Sequence, residues 1–274
     1  MHHAAAATRP GTDQLPAYLL FHHAVAQAQL AAWLPRGRRT IVDVSGPRGP
    51  GAELAARAGH RVLRVIDGSP ASLRDAGAEW TDERGTNEEG RKRPKGVPEA
   101  SQKVPPGAVV PLIADPSRLS FLRDGCADAV IAEDRALSTQ LAAEAMIAEI
   151  ARVLRPGGRV LACVDSLMLG MSVLAGQHHW AHLVDLPHAE VVLVPWPDGT
   201  ITRCYGPDQA RELFSGAGLT VRSIRPRTML GESVVNLVLR RAPRSLPSLV
   251  RAELAAKSDE SMGTQLLISA TKRR

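Results

Sequence analysis

Aromatic residues are scarce in this chain: three Phe, four Trp and two Tyr among 274 residues. A core that lacks rings must be built mostly from Ala, Val and Leu. Cysteine is scarcer still. Cys126, Cys163 and Cys204 are odd in number, far apart and without metal-ligand spacing, which argues for a reducing compartment and against a disulfide framework or a zinc site. No run of about 18 apolar residues occurs, so no membrane-spanning helix and no membrane partner are expected. Residues 1–16 show no basic segment followed by a long apolar one, and so do not read as a secretory signal. The expectation is a cytoplasmic protein with a flexible start over 1–16, followed by a single domain over 17–274. The net charge of +6 comes from 34 Lys and Arg against 28 Asp and Glu. The excess is spread along the chain, which reads as a solvated surface rather than a nucleic-acid footprint.

Two phosphate-binding signatures are also missing. The glycines at 46, 49 and 51 fit no frame of G-x-G-x-x-G, and no G-x-x-x-x-G-K-[ST] occurs. A dinucleotide dehydrogenase and a Walker-type NTPase both lose on glycine geometry.

What is present begins at Thr40. The stretch TIVDVSGPRGPGAELAARAGHRVLRVID, Thr40 to Asp67, reads as strand, glycine turn, helix and second strand. Ile41 to Val44 form the first strand, with Asp43 at its end. Gly46 and Gly49 make the turn, and Pro50 suits a first helical position, where a missing N–H costs nothing. Glu53 complements the helix dipole and Gly59 ends the helix. Val62, Leu63, Val65 and Ile66 then form a doubly buried strand closed by Asp67-Gly68. Such a unit opens open α/β sheets that bind ligands at the carboxyl ends of their strands.

Further along, Ala17 to Leu34 reads as a lead-in helix with Leu20, Ala24, Ala28 and Ala31 on one face. Thr81 to Gly107 is rich in charge, Gly and Pro and is expected to be a mobile charged insertion. Strands are expected at Ala108–Ile113, Ala127–Ala132, Arg159–Val164, Leu219–Ile224 and Gln265–Ala270. Ser138 reads as the cap of a helix whose apolar face is Leu141, Ile147, Ile150 and Leu154, stopped by Pro156-Gly157-Gly158. Gly206-Pro207-Asp208 starts another helix with Ala210, Leu213, Phe214 and Ala217 inward. The segment Ser166 to Asp198 shows no regular period. Alternating strands and helices imply an α/β, doubly wound, mostly parallel sheet with helices on both faces.

Four segments in order resemble the class I S-adenosylmethionine (SAM)-dependent methyltransferases, particularly the small-molecule group. Asp43-Val44-Ser45-Gly46-Pro47-Arg48-Gly49 lies over that family's D-x-G-x-G-x-G. Asp67 occupies the place of the acid that holds the ribose hydroxyls, and Asp115-Pro116 that of an acid near the adenine amine. Asp128 to Ala132 resembles the family's fourth strand, with Glu133 following it toward the cofactor. The segment EIARVLRPGGRVLACV, Glu149 to Val164, resembles its helix–PGG–strand unit. The resemblance implies a Rossmann-like, seven-stranded sheet and methyl transfer from SAM to a small organic acceptor, with S-adenosylhomocysteine as product. It implies a cofactor site of Asp43, Ser45, Gly46, Gly49, Asp67, Gly68, Asp115, Pro116 and Glu133, and no metal.

Ser45 and Pro47 depart from the pattern, each standing where the family has glycine. Proline removes a backbone donor and fixes φ in the loop that approaches the methionine end. A SAM-fold binding or regulatory protein therefore stays open as a second reading. A nucleic-acid methyltransferase is a third, opposed by Glu133-Asp134-Arg135-Ala136 where amino-modifying DNA enzymes carry N/D-P-P-Y/F. Candidate bases lie at His178, His179, His182 and His188, the first and third being four apart and expected to share a helix face. Each reads first as an ordinary polar residue, and no catalytic residue is assigned. Trp180 and Trp196 read as core packing or as acceptor-pocket walls.

Overall fold

The computed structural model describes residues 16–47, 49–75, 107–186, 189, 191–196, 198–256, 259–260 and 262–274. The expected flexible start, nearly all of the charged insertion, Arg48 and His188 lie outside the described residues. The chain opens with helix α1 (Ala17–Trp33), then β1 (Thr40–Asp43), α2 (Gly51–Arg57), β2 (Arg61–Ile66) and α3 (Pro70–Asp75). After the insertion come β3 (Val109–Ile113), β4 (Ala127–Ala132), α4 (Ala143–Val153) and the long β5 (Leu154–Ser166). Helices α5 (Leu167–Gly176) and α6 (Trp180–Asp185) lead into a hairpin, β6 (Val192–Pro195) and β7 (Ile201–Tyr205). The chain closes with α7 (Pro207–Gly216), β8 (Leu219–Arg227), α8 (Glu232–Arg241), α9 (Leu246–Ala255) and β9 (Gln265–Lys272).

Seven strands form the body of the sheet in the order β3-β2-β1-β4-β5-β9-β8, all parallel except β9. This is the expected mostly parallel, doubly wound architecture. The strands read as continuous apolar runs because both faces are covered. Val130 and Ala132 of β4, with Val160, Ala162 and Val164 of β5, enter one core. Ala129, Ile131, Leu161 and Cys163, the alternate residues, enter the other with Ala52, Ala55 and Leu30. Period-2 alternation thus feeds two cores from one strand, and full burial of each larger aliphatic is worth about 1.5–3 kcal/mol.

The hairpin β6–β7 falls in the stretch that showed no period. Strand β9 takes one edge of β5 as far as Asp165, and β7 pairs with Asp165 and Ser166. The hairpin must therefore sit on the edge that β4 leaves free.

Three local expectations are corrected. The buried stripe of α1 is Phe21, Val25, Ala26 and Leu30, while Leu20 is 38% exposed. The reason is its partners: Phe21 and Val25 pack with Val235 and Leu239 of α8. Ser138 does not cap α4, whose first turn begins five residues later. Instead its buried hydroxyl accepts from the Asp165 N–H at 2.8 Å, tying the end of β4 to β5. Leu141 lies outside the helix at 55% exposure, and β5 already begins at Leu154, before Pro156.

Candidate active site

Each of five adjacent strands carries a carboxylate close to its carboxyl end. In spatial order these are Asp115, Asp67, Asp43, Glu133 and Asp165, following β3, β2, β1, β4 and β5. Because β9 runs the other way, its first residue, Gln265, joins this edge, as does Arg227, the last of β8.

Asp43 lies beneath the glycine turn and is fully buried. Its Oδ1 accepts the Ser45 N–H at 2.9 Å, whereas Oδ2 has no hydrogen-bond partner and meets Arg64 Nε only at 3.8 Å. Burial pushes its pKa up to about 6, against the Ser45 hydrogen bonds and the Arg64 charge. Arg64 stands opposite Asp43 in the β1–β2 register. It donates to the Gly49 carbonyl at 2.8 Å and to both Glu53 oxygens at 2.8 and 2.6 Å. One side chain thereby clamps strand end, turn and helix. Sequence reading missed it, although a charge inside the apolar run Val62–Ile66 is a visible anomaly.

Ser45 is buried, and its hydroxyl accepts the Glu133 N–H at 2.8 Å. Gly46 holds φ +85, and nothing lies within 4 Å of the point where a side chain would begin. Gly49 is buried beneath, so close that a Cβ there would stand 3.1 Å from Ser45 Cβ. Asp43, Ser45, Gly46, Gly49 and Glu133 thus form one connected unit in which Asp43 and Ser45 hold the turn from below.

Asp67, Gly68, Asp115 and Pro116 form a second unit, drawn together where Ala114 N–H donates to the Ile66 carbonyl at 2.9 Å. Asp67 is partly exposed and accepts from the Ser69 N–H at 2.9 Å and from the Ser72 hydroxyl. Desolvation would raise its pKa, but these hydrogen bonds hold it below the usual carboxylate value. Asp115 is exposed, with Oδ1 accepting from the Ser117 N–H and hydroxyl at 2.8 and 2.7 Å. Beside Gly68 stands Ile113, 57% exposed, its Cγ2 3.5 Å from where a side chain on that glycine would begin.

At the other end of the edge, Glu133 and Arg227 form a buried, two-pronged ion pair at 2.8 and 3.2 Å, and Arg227 Nε donates to Gln29 Oε1 at 2.8 Å. Arg135 grips Asp165 at 2.9 and 3.0 Å and lies 4.6 Å above the Trp196 ring. Trp196 itself donates to the Thr202 hydroxyl at 2.7 Å. Asp134, Arg135 and Thr228 all hold left-handed backbone, with φ of 52, 63 and 58. Such conformations are costly for non-glycine residues, most of all for a β-branched one, and they concentrate where geometry is imposed.

Three of the four noted histidines do not join this edge, and the fourth, His188, lies outside the described residues. His178, His179 and His182 are exposed around the start of α6. The helix begins only at Trp180, so His178 faces the Trp180 ring at 5.6 Å and it is His179 that meets His182, at 5.8 Å. Trp180 is exposed rather than core. Among the described residues no group of three His, Cys, Asp or Glu is placed to hold a metal ion, and no helix is long and apolar enough to cross a membrane. A cavity of about 860 Å³ lies on the flank formed by α1, α9, β8 and β9, with Gln29, Trp33, Ile224, Met229, Glu253 and Leu267 among its walls.

A mostly parallel sheet with a glycine turn after β1 and acids at successive carboxyl ends defines the Rossmann-like, class I methyltransferase fold. Residues 42–162 match a family model described as a methyltransferase domain. No curated protein matches the chain at a significant level. Among solved structures it is similar to a SAM-dependent methyltransferase from Mesorhizobium loti (16% identity, TM-score 0.54, covering 92% of this chain and 100% of that one). It is also similar to the 1,6-didemethyltoxoflavin-N1-methyltransferase of Burkholderia thailandensis, solved with 1,6-didemethyltoxoflavin and S-adenosylhomocysteine (15% identity, TM-score 0.52, covering 99% and 94%). A third is the [4+2]-cyclase SpnF (16% identity, TM-score 0.52, covering 91% and 81%). At these identities the likeness is one of fold, and a shared fold hosts more than one chemistry.

Proposed function

We propose that the protein binds SAM across the turn and the ends of β2 and β3, and transfers its methyl group to a small organic acceptor. The observation that carries this reading is the second unit, where Asp67 and Asp115 end neighbouring strands beside the exposed Ile113 and the small Gly68. Those groups fit a nucleoside. Asp67, held anionic, has lone pairs left to accept ribose hydroxyls. Asp115 keeps Oδ2 for an adenine amine, and Ile113 offers an apolar surface to the base. The open side of Gly46 allows close approach of the turn, and the turn's amides before α2 suit a carboxylate. When bound, SAM supplies an electrophilic methyl group on a sulfonium. The chain's part is then to hold the acceptor in line with it and exclude water, from which proximity alone supplies much of the rate.

A second reading, a SAM-fold binding protein without turnover, is favoured by one observation. The Ser45 side chain is turned inward to the Glu133 N–H, and Pro47 offers no amide to a ligand. Calorimetric titration with SAM and S-adenosylhomocysteine, alongside Asp67→Ala, tests the shared premise. Micromolar binding that the variant loses supports the site. A folded wild type that binds neither compound overturns both readings, and binding without methyl transfer across an acceptor screen favours the second.

A further inference from the structure

His22, on α1, faces the carboxyl edge of the sheet seven residues before Gln29. Both side chains anchor the helix there, Gln29 to Arg227 and His22 to Gln265. The His22 contact is Nε2 to Gln265 Oε1 at 3.0 Å. A carbonyl oxygen only accepts, so the hydrogen sits on Nε2 and the neutral ring carries its lone pair on Nδ1. Gln265 is itself held. Its Oε1 also receives the Cys163 S–H at 3.4 Å, and it is the cross-strand partner of Asp165. The Gln265 side chain bears on the Asp165 carboxylate, which Arg135 grips from the other side. His22 Nδ1 has no hydrogen-bond partner among the described residues and is not sealed from solvent.

We propose that His22 is the general base of the acceptor site, held in its proton-accepting tautomer by the series Arg135–Asp165–Gln265, and that the acceptor is a hydroxyl compound of the phenol or enol type. The inference rests on the methyltransferase reading and narrows its substrate class. Oxygen acceptors need proton removal, whereas many nitrogen and sulfur acceptors offer a free lone pair. The hydroxyl O–H bond breaks toward Nδ1 as the oxygen bonds the methyl carbon, and the S–CH₃ bond electrons remain on sulfur as a neutral thioether. The imidazolium then returns its proton to water. The charged and titratable groups around His22 are His23 on its own helix, Arg227 from β8 and Glu133 from the end of β4. Burial lowers the pKa of His22, and Arg227 and His23 act in the same direction, against the Gln265 hydrogen bond and Glu133. The ring is therefore neutral near pH 7, as a base must be.

Long-range proton–nitrogen NMR on protein labelled with [¹⁵N]histidine tests the tautomer without any cofactor or acceptor. His22 is expected neutral at pH 7 with its proton on Nε2, and Gln265→Leu is expected to release the second tautomer. A proton on Nδ1, or an imidazolium at pH 7, overturns the assignment. Transfer from radiolabelled SAM to phenol, catechol and 4-nitrophenol is the second arm, with S-adenosylhomocysteine affinity measured in parallel. His22→Gln should lower the rate by about 10²- to 10⁴-fold while leaving that affinity within twofold, and imidazole should restore part of the rate to His22→Ala. An unchanged rate in His22→Gln overturns the base. No methylation of any of the three by a wild type that binds S-adenosylhomocysteine overturns the hydroxyl class, and absent binding overturns the methyltransferase reading instead.

Discussion

Arg227 Nη2 lies 2.8 Å from Glu133 Oε1, and both side chains are almost sealed from solvent. The pair joins the end of β8 to the end of β4 and, through Gln29, fastens α1 over the edge. Desolvating two ions is costly, so the pair is not a simple source of stability, but breaking it strands a charge. Arg227→Leu is expected to lower unfolding free energy by about 3–5 kcal/mol. Arg227→Leu combined with Glu133→Leu should recover much of that loss. Urea unfolding of the two variants decides the matter, and a single variant that loses less than about 1 kcal/mol would show that the pair is not closely coupled to folding.

Asp43 ties stability to pH with a sign opposite to that of most carboxylates. Its folded pKa, pushed up to about 6 by burial, stands above the ordinary 3.8, so between those values the native state holds a proton that the unfolded chain has released. The associated stability is fully present below pH 3.8 and is lost as pH rises through about 6. The shift corresponds to about 3 kcal/mol. Asp43→Asn keeps an acceptor for the Ser45 N–H and cannot ionise. Its unfolding free energy, measured from pH 4 to 7, is expected to lack the wild-type fall over that window. Identical pH profiles in the two proteins would contradict the buried, unpaired Oδ2.

Most of the sheet is legible because its strands are short apolar runs ended by acids or glycines, as at Ala127–Ala132 and Val62–Asp67. The doubled burial of β4 needs nothing beyond its own residues. By contrast, α1 is built largely from alanines, whose small side chains do not reveal which face is inward. The choice falls to Val235 and Leu239, some two hundred residues later. The β6–β7 hairpin depends on an edge that exists only because β5 outruns β4. In the candidate site, the residues at strand ends could be read from position along each strand. Arg227 with Glu133 and His22 with Gln265 could not, being separated by 94 and 243 residues with no local pattern to join them.

Pro47 supplies a test of the turn. A glycine there would restore one N–H donor to the turn that, in the proposed cofactor site, receives the ligand's carboxylate. One additional hydrogen bond is worth about 1 kcal/mol net, or roughly fivefold in affinity. Pro47→Gly is expected to bind S-adenosylhomocysteine about that much more tightly by calorimetry, while losing about 0.4–1 kcal/mol of stability through the freer unfolded chain. Weaker or unchanged binding would mean that the proline's fixed φ, rather than its missing donor, governs the turn.

Gly157 and Gly158 are adjacent, and substitution should expose different reasons for each. Gly157 has φ +75, but a Cβ there would meet nothing nearer than the Arg274 side chain at 3.8 Å. Gly157→Ala therefore pays only for the left-handed backbone, about 1–2 kcal/mol. Gly158 has no such φ, yet its Cβ would stand 2.8 Å from the Arg155 carbonyl and 3.2 Å from that of Asp128. Backbone atoms cannot swing aside as a side chain can, so β5 must shift against the end of the β4 ladder, where the register is already irregular between Ala127 and Ala129. Gly158→Ala is expected to cost about 1–3 kcal/mol and to raise amide exchange in Ala127–Ala129, whereas Gly157→Ala should leave those amides unchanged. Chemical denaturation and hydrogen exchange on the two variants separate the effects. Equal exchange in both would remove the distinction between strained backbone and blocked space.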